Sequence, residues 1–293
     1  MYILQQGECI FFERKWDKKN ESFGVGAILI ERMIKGGLKM LLKDKIAVVY
    51  GAGGAIGGAV ARAFAEEGAS VFLAGRSLHS LQIVANDITG AGGVARVTRV
   101  DALNQSEIDG HLDRIVQHAG KVDISFNAIG IRRDLQGTPL TKMTQEDFMT
   151  PILTGVKTHF LTSTAAAKHM IKQNSGVIIT LSASSSALSG RDRTYHLTGG
   201  FATACAAIEE YTRSLAGELG SKSIRVVSLR SEAIQETWKP DIPEVKAYLE
   251  EGTALGRLPT LKEVADTAVF IASDRASAIT GAIINVTCGS IMD

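Results

Sequence analysis

The chain has 293 residues, 45% of them hydrophobic, which suits one α/β domain with an appendage and is short for two full domains. With 32 Lys and Arg against 31 Asp and Glu, the net charge is +1, and nothing in that balance points to nucleic acid or an anionic membrane surface. Cys9, Cys205 and Cys288 lie far apart, fit neither a disulfide framework nor a zinc site, and suit a reducing cytoplasm, while no apolar run is long enough to span a bilayer.

Residues 1–40 read as an N-terminal extension. Phe11, Phe12 and Trp16 mix there with a charged stretch, Lys15 to Glu21, and an apolar run, Val25–Ile30, without the order of a signal peptide. Two readings stand. Met40 is the natural start, preceded by Lys35-Gly36-Gly37, whose codons suit a ribosome-binding site; or the extension is a genuine arm with little fixed structure. Peptides from the first 39 residues in the native protein would exclude the first reading.

From Lys45 to the end, at residues 41–293, β-branched runs alternate with helical patterns. Strands are expected at Ile46–Val49, Ser70–Leu73, Ala95–Val100, Val122–Phe126, Val177–Leu181, Ile224–Leu229 and Ala282–Val286. Helices are expected at Ile56–Gly68, Leu78–Ile88, Gln105–Ala119, about 145–173 with a break near Pro151, and about 201–220. The alternation implies an α/β fold: a single Rossmann-type, doubly wound parallel sheet with helices on both faces. Such a sheet takes ligands beyond the carboxyl ends of its strands.

Between the first strand and first helix lies Gly51-Ala52-Gly53-Gly54-Ala55-Ile56-Gly57-Gly58. Small residues let the chain turn tightly and bring its amides close to a pyrophosphate, which the helix N-terminus also attracts. Glycine-rich loops are common, but this one has a strand before it and a helix after it, which makes the signal strong. The second strand ends in Ala74-Gly75-Arg76, where an NAD site usually carries an acid; an arginine suits a 2′-phosphate, so NADP(H) is expected over NAD(H).

Tyr50-Gly51-Ala52-Gly53-Gly54-Ala55-Ile56-Gly57 resembles the Thr-Gly-x-x-x-Gly-x-Gly segment of the short-chain dehydrogenase/reductase family, with Tyr50 for the threonine and Ala55 for the middle glycine. The alanine is tolerable only with a negative φ. Asp101, beside Ala102, resembles the family aspartate that contacts adenine, and Asn127-Ala128-Ile129-Gly130 the Asn-Asn-Ala-Gly motif of the cofactor cleft. Leu255-Gly256-Arg257, Ile279-Thr280-Gly281 and Asn285-Val286-Thr287 extend the likeness over roughly 41–293. The resemblance implies a hydride-transferring oxidoreductase acting on a small molecule, with Gly51, Gly53, Gly54, Ala55, Ile56, Arg76, Asp101, Ala102, Asn127, Ala128, Ile129 and Thr237 on the cofactor.

It also implies a tyrosine and a lysine four residues apart, a serine and an asparagine. Counting back from Ala206-Ala207-Ile208-Glu209, the first two positions fall on Phe201 and Cys205; the asparagine position falls on Gly155 and the serine position on Ala183, between Ser182 and Ser184. No lysine occurs between Lys172 and Lys222. A second register starts from Tyr195, but Gly199 and Ala202 then stand where a lysine is needed. The stretch Ser184–Gly200 carries a few extra residues, bringing Arg191, Arg193, Tyr195 and His196 toward the cleft mouth. The candidate catalytic residues are therefore Ser184, from Ser184-Ser185-Ser186, for a substrate hydrogen bond and Tyr195, with His196 beside it, as replacement acid; each is weighed against a plain surface or strand-capping role. Two functions follow: an atypical NADP(H)-dependent oxidoreductase with an apolar carbonyl or activated-alkene substrate, or an inactive NADP(H)-binding sensor or scaffold. By the same resemblance the segment from Arg230 to about Leu249 occupies the substrate lid, where Trp238 and Ile242 suggest an apolar wall. Pairing of the two long helices in family members implies a homodimer or homotetramer, with Leu161, Ala165, Ile208, Tyr211 and Leu215 serving either that interface or the core.

Overall fold

Alternate residues of strand β3 (Ile46–Tyr50) bury to opposite sides: Ala47 and Val49 join one apolar cluster, Val48 and Tyr50 another. A strand buried on both faces needs a helical layer on each, and the chain supplies them. The computed structural model describes residues 2–5, 8–11, 40–188, 190–237 and 243–293. Residues 1–39 form one unit, in which β1 (Tyr2–Gln5) and β2 (Glu8–Phe11) pair antiparallel with Tyr2 opposite Phe11. The sequence had not signalled this hairpin; Phe12, Trp16 and the Val25–Ile30 run lie outside the described residues.

Residues 40–293 form the second unit. Its strands are β3, β4 (Ser70–Gly75), β5 (Val94–Arg99), β6 (Ile124–Asn127), β7 (Gly176–Ala183), β8 (Ile224–Ser231) and β9 (Ile283–Val286). They make one seven-stranded sheet in the order β5-β4-β3-β6-β7-β8-β9, every neighbouring pair parallel. Helices α1 (Ala55–Glu66), α2 (Leu78–Gly90) and α8 (Leu261–Ala272) bury against one face. Helices α3 (Gln105–Ala119), α4 (Gln145–Gln173) and α6 (Gly199–Leu219) bury against the other. The short α5 (Gly190–His196) and α7 (Pro243–Glu251) stand in the connections after β7 and β8. This is the doubly wound sheet that the alternation predicts, with its order reversing between β3 and β6.

Two expectations need correction. The long helix is not broken at Pro151; α4 runs through it from Gln145 to Gln173. Its packing on α6 is close: a Cβ on Gly200 would lie 3.0 Å from the Pro151 ring and 2.1 Å from the Phe148 carbonyl oxygen. Tertiary contact therefore holds the helix across a residue that local propensity would use to end it. Strands β7 and β8 also run to Ala183 and Ser231, beyond the expected Leu181 and Leu229. Their polar ends look like loop in the sequence but are paired, Ser182 with Arg230 and Ala183 with Ser231. Of the positions weighed for an interface, Leu161, Ala165, Ile208 and Leu215 are buried within the single chain; Tyr211 is partly buried.

Candidate cofactor and active site

At the carboxyl end of β3 the backbone turns through Gly51, whose φ is +74°. A side chain there would meet the Ala128 carbonyl at 2.7 Å, and a Cβ on Gly57 would lie 2.4 Å from the Gly51 carbonyl oxygen. Gly51 is thus required by the turn and by close approach, and Gly57, inside α1, by close approach. Ala55 opens α1 and is not among the residues with positive φ, so its methyl meets the condition set for it. The Gly54 N-cap makes no side-chain hydrogen bond, so the first-turn amides of α1 keep their donors for a ligand. Outside the loop is a depression of about 300 Å³ lined by Gly53, Gly54, Ala55, Arg62, Ser80 and Leu261 among others.

Tyr50 points away from this loop into the core. It is 1% exposed, meets the His111 ring edge-on at 6.3 Å, and its hydroxyl has no hydrogen-bond partner among the described residues. Burial, then the charge of Asp109, pushes that phenol far above its ordinary range. Arg76, at the end of β4, is exposed and has no hydrogen bond or ion pair among the described residues. After β5, Asp101 accepts from the Leu103 amide at 3.0 Å, with Ala102 buried beside it. After β6, buried Asn127 donates to Thr162 Oγ1 at 3.0 Å and accepts from the Ile129 amide at 2.9 Å. Its side chain thereby shapes the Ala128–Ile129 turn that Gly51 approaches. Thr237 turns its hydroxyl back to the Ile234 carbonyl at 3.0 Å; Trp238 and Ile242 lie outside the described residues.

The carboxyl ends of β7 and β8 carry a buried charge network that the sequence reading missed. Glu209 on α6 and Arg230 on β8 are 5% and 3% exposed. They form a two-pronged pair, Nε to Oε1 at 2.9 Å and Nη2 to Oε2 at 2.7 Å. Ser182 and Ser186 donate to the same Oε1 at 2.7 and 2.6 Å. The remaining nitrogen, Nη1, donates to Asn285 at 3.0 Å and to both Asp293 side-chain oxygens at 2.8 Å. Burial pushes the Glu209 carboxyl up, but Arg230 and the two serines outweigh it and hold it below its ordinary range. Glu209 in turn raises the Arg230 guanidinium. The signal was present: Cys205, Glu209, Thr212 and Ala216 follow helical spacing on the buried side of α6, and Arg230 ends an apolar strand. An acid and a base at core positions of neighbouring elements call for each other.

Against this network the candidate catalytic groups fall into two places. Ser184 is 4% exposed in a 3-10 turn, Ser184–Ser186, and has no hydrogen bond from its hydroxyl among the described residues, whereas Ser182 and Ser186 are committed to Glu209. Tyr195 is 50% exposed on α5, its ring stacked on Tyr248 of α7 with centroids 4.2 Å apart. Phe201 lines a narrow pocket with Arg132, Arg133, Met143, Pro151 and Thr198. Cys205 is fully buried; burial pushes its thiol up to about 12, with the Ala183 backbone, Glu209 and Arg230 as lesser influences. Gly155 faces Ile131, whose Cγ1 would lie 3.2 Å from an added Cβ, and its carbonyl accepts from His159 Nδ1 at 2.9 Å. The Leu181 amide donates to His159 Nε2 at 3.3 Å, beyond the last β6–β7 pair, so the proton sits on Nδ1 and the ring is neutral. Burial lowers His159 to about 4. Among the described residues no cluster of His, Cys, Asp or Glu could hold a metal ion, and no helix is long and apolar enough to cross a membrane.

Residues 51–290 match the family profile described as enoyl-(acyl carrier protein) reductase. The chain is 30% identical to 7alpha-hydroxysteroid dehydrogenase of Escherichia coli, over 86% of its own length and 96% of the relative's. It is 29% identical to 3-oxoacyl-(acyl-carrier-protein) reductase FabG of Chlamydia muridarum, over 86% and 99%. A crystal structure of a short-chain type dehydrogenase/reductase from Mycobacterium marinum superposes with a TM-score of 0.79 at 31% identity, over 87% of this chain and 98% of that one. A 7alpha-hydroxysteroid dehydrogenase in complex with NADH and 7-oxo glycochenodeoxycholic acid gives 0.76 at 29%, over 87% and 97%. The sheet order, the glycine loop and these matches along one continuous stretch place the chain in the short-chain dehydrogenase/reductase family.

Proposed function

We propose that the chain binds NADP(H) in preference to NAD(H) and is an oxidoreductase acting on an apolar carbonyl or activated-alkene substrate. The observation that carries the cofactor choice is Arg76: an exposed guanidinium without a partner among the described residues, one strand away from the glycine loop, where a 2′-phosphate would need a cation. The approach of Gly51 to Ala128 and the uncapped start of α1 support a pyrophosphate cradle beside it. When bound, NADP(H) supplies the hydride. Of the turn's three serines only Ser186 is committed to Glu209, and Ser184, directly after β7, would hydrogen-bond the substrate oxygen.

A second reading has its own observation. Phe201 and Cys205 stand on α6 at the positions that the resemblance gives to a tyrosine and a lysine; the one has no proton to give and the other is a buried neutral thiol. That favours an inactive NADP(H)-binding sensor or scaffold, because such catalytic groups act as a unit. Calorimetric titration with NADPH and with NADH tests the shared part. Tight NADPH and weak NADH binding is expected; binding of neither would overturn the cofactor reading. Turnover of a test ketone by the unaltered chain would decide for the enzyme. Turnover only after Phe201→Tyr with Cys205→Lys would decide for the scaffold.

A further inference from the structure

Three connections rim the carboxyl edge of the sheet, those after β6, β7 and β8, and α5 touches the other two from its place in the middle one. On one side the Gly137 amide, after β6, donates to the His196 carbonyl at 3.0 Å. On the other, Tyr248 of α7, after β8, donates its hydroxyl to Asp192 Oδ1 at 2.8 Å. The Tyr248 ring lies over Tyr195 with planes 24° apart, and His196 meets Tyr195 and Tyr248 edge-on at 5.1 and 5.9 Å. A helix of seven residues, with Asp192, Tyr195 and His196 all turned to one tyrosine, is tied to its neighbours mainly through side chains.

Both ends of α5 leave ordinary helical geometry. Gly190 has φ +49°, and beyond His196 come Leu197 at +44° and Gly199 at +49°. Glycine takes such angles freely and leucine rarely does, so Leu197 is held there by what surrounds it. A short helix between two left-handed turns, meeting α7 through an aromatic stack and the Tyr248–Asp192 hydrogen bond, has the form of a piece that can move as a unit. We propose that α5 is a latch across the substrate end of the cleft, held shut by Tyr248 through Asp192 and Tyr195, and that it swings open about Gly190 and Leu197–Gly199 to admit substrate. The proposal rests on the cleft being the substrate site of the function proposed above. It gives Tyr195 a task other than proton transfer.

Hydrogen exchange of the full chain, read by mass spectrometry, tests the latch. In Tyr248→Ala, segments 190–198 and 243–251 should exchange together, about tenfold faster, while 203–219 of α6 stays protected. Tyr248→Phe keeps the stack and loses the hydrogen bond, so it should loosen the same two segments by less. Unchanged exchange of 190–198 in both variants would overturn the proposal, as would loosening that always includes 203–219. If Tyr248→Ala does not fold, the Tyr248→Phe result alone decides. Failure of NADPH to bind in calorimetry would overturn the cofactor reading and leave the exchange result standing, so the two failures are distinguishable.

Discussion

At the scale of single residues, the surroundings decide what each charge can do. Arg76 is open and unpaired among the described residues, whereas Arg230 is almost wholly enclosed by acceptors. If Arg76 meets a 2′-phosphate, Arg76→Ala should weaken NADPH binding by about 10–100-fold and leave NADH nearly unchanged, both read by calorimetry. Arg230 answers to Glu209. Removing one partner strands a buried charge, so Glu209→Ala should cost about 3–5 kcal/mol in a urea denaturation experiment. The paired replacement Glu209→Met with Arg230→Met should cost much less than the sum of its single changes. Equal and additive losses would show that the pair contributes only packing. Sequence reading found Arg76 because a strand end beside a glycine loop gives a position its meaning. It passed over Glu209 because a place on the buried side of α6 does not say which base faces it until that helix is packed on β8.

Among elements, α8 and α4 show what local sequence does and does not determine. Thr260 accepts from the Glu263 amide while the Glu263 carboxylate accepts from the Thr260 amide, a reciprocal cap readable from Thr-Leu-Lys-Glu. Thr260→Ala should therefore lower stability by about 1 kcal/mol, visible as a reduced thermal midpoint. Helix α4 obeys no such local rule at Pro151, where α6 packs against it through Gly200. The sheet and its helices were legible because hydrophobic runs of period 2 and stripes of period 3.6 alternate from residue 45 onward. The polar ends of β7 and β8 were not, since strand pairing supplies what their side chains do not announce. Helix α5 lies in the stretch Ser184–Gly200, and its short polar sequence carries no stripe that announces a helix.

Taken whole, the domain buries two histidines that must stay neutral. Burial, aided by Arg114, lowers His111 to about 4, and burial lowers His159 to about 4. Both lie below the unfolded value of about 6.5, so the unfolded chain takes up protons first. Their contribution is complete above pH 6.5 and is lost as pH falls toward 4. Between pH 7 and 5 this should remove about 2 kcal/mol per histidine from the unfolding free energy. A urea midpoint that stays flat across that range would contradict the buried neutral state. The ion pair beside Cys205 carries one more consequence. A lysine at position 205 would set an ammonium group beside Glu209 in competition with Arg230, where a buried thiol now sits. The variant carrying both Phe201→Tyr and Cys205→Lys therefore speaks about chemistry only if its urea midpoint matches that of the unaltered chain, because a weakened pair would silence the site for a reason of its own.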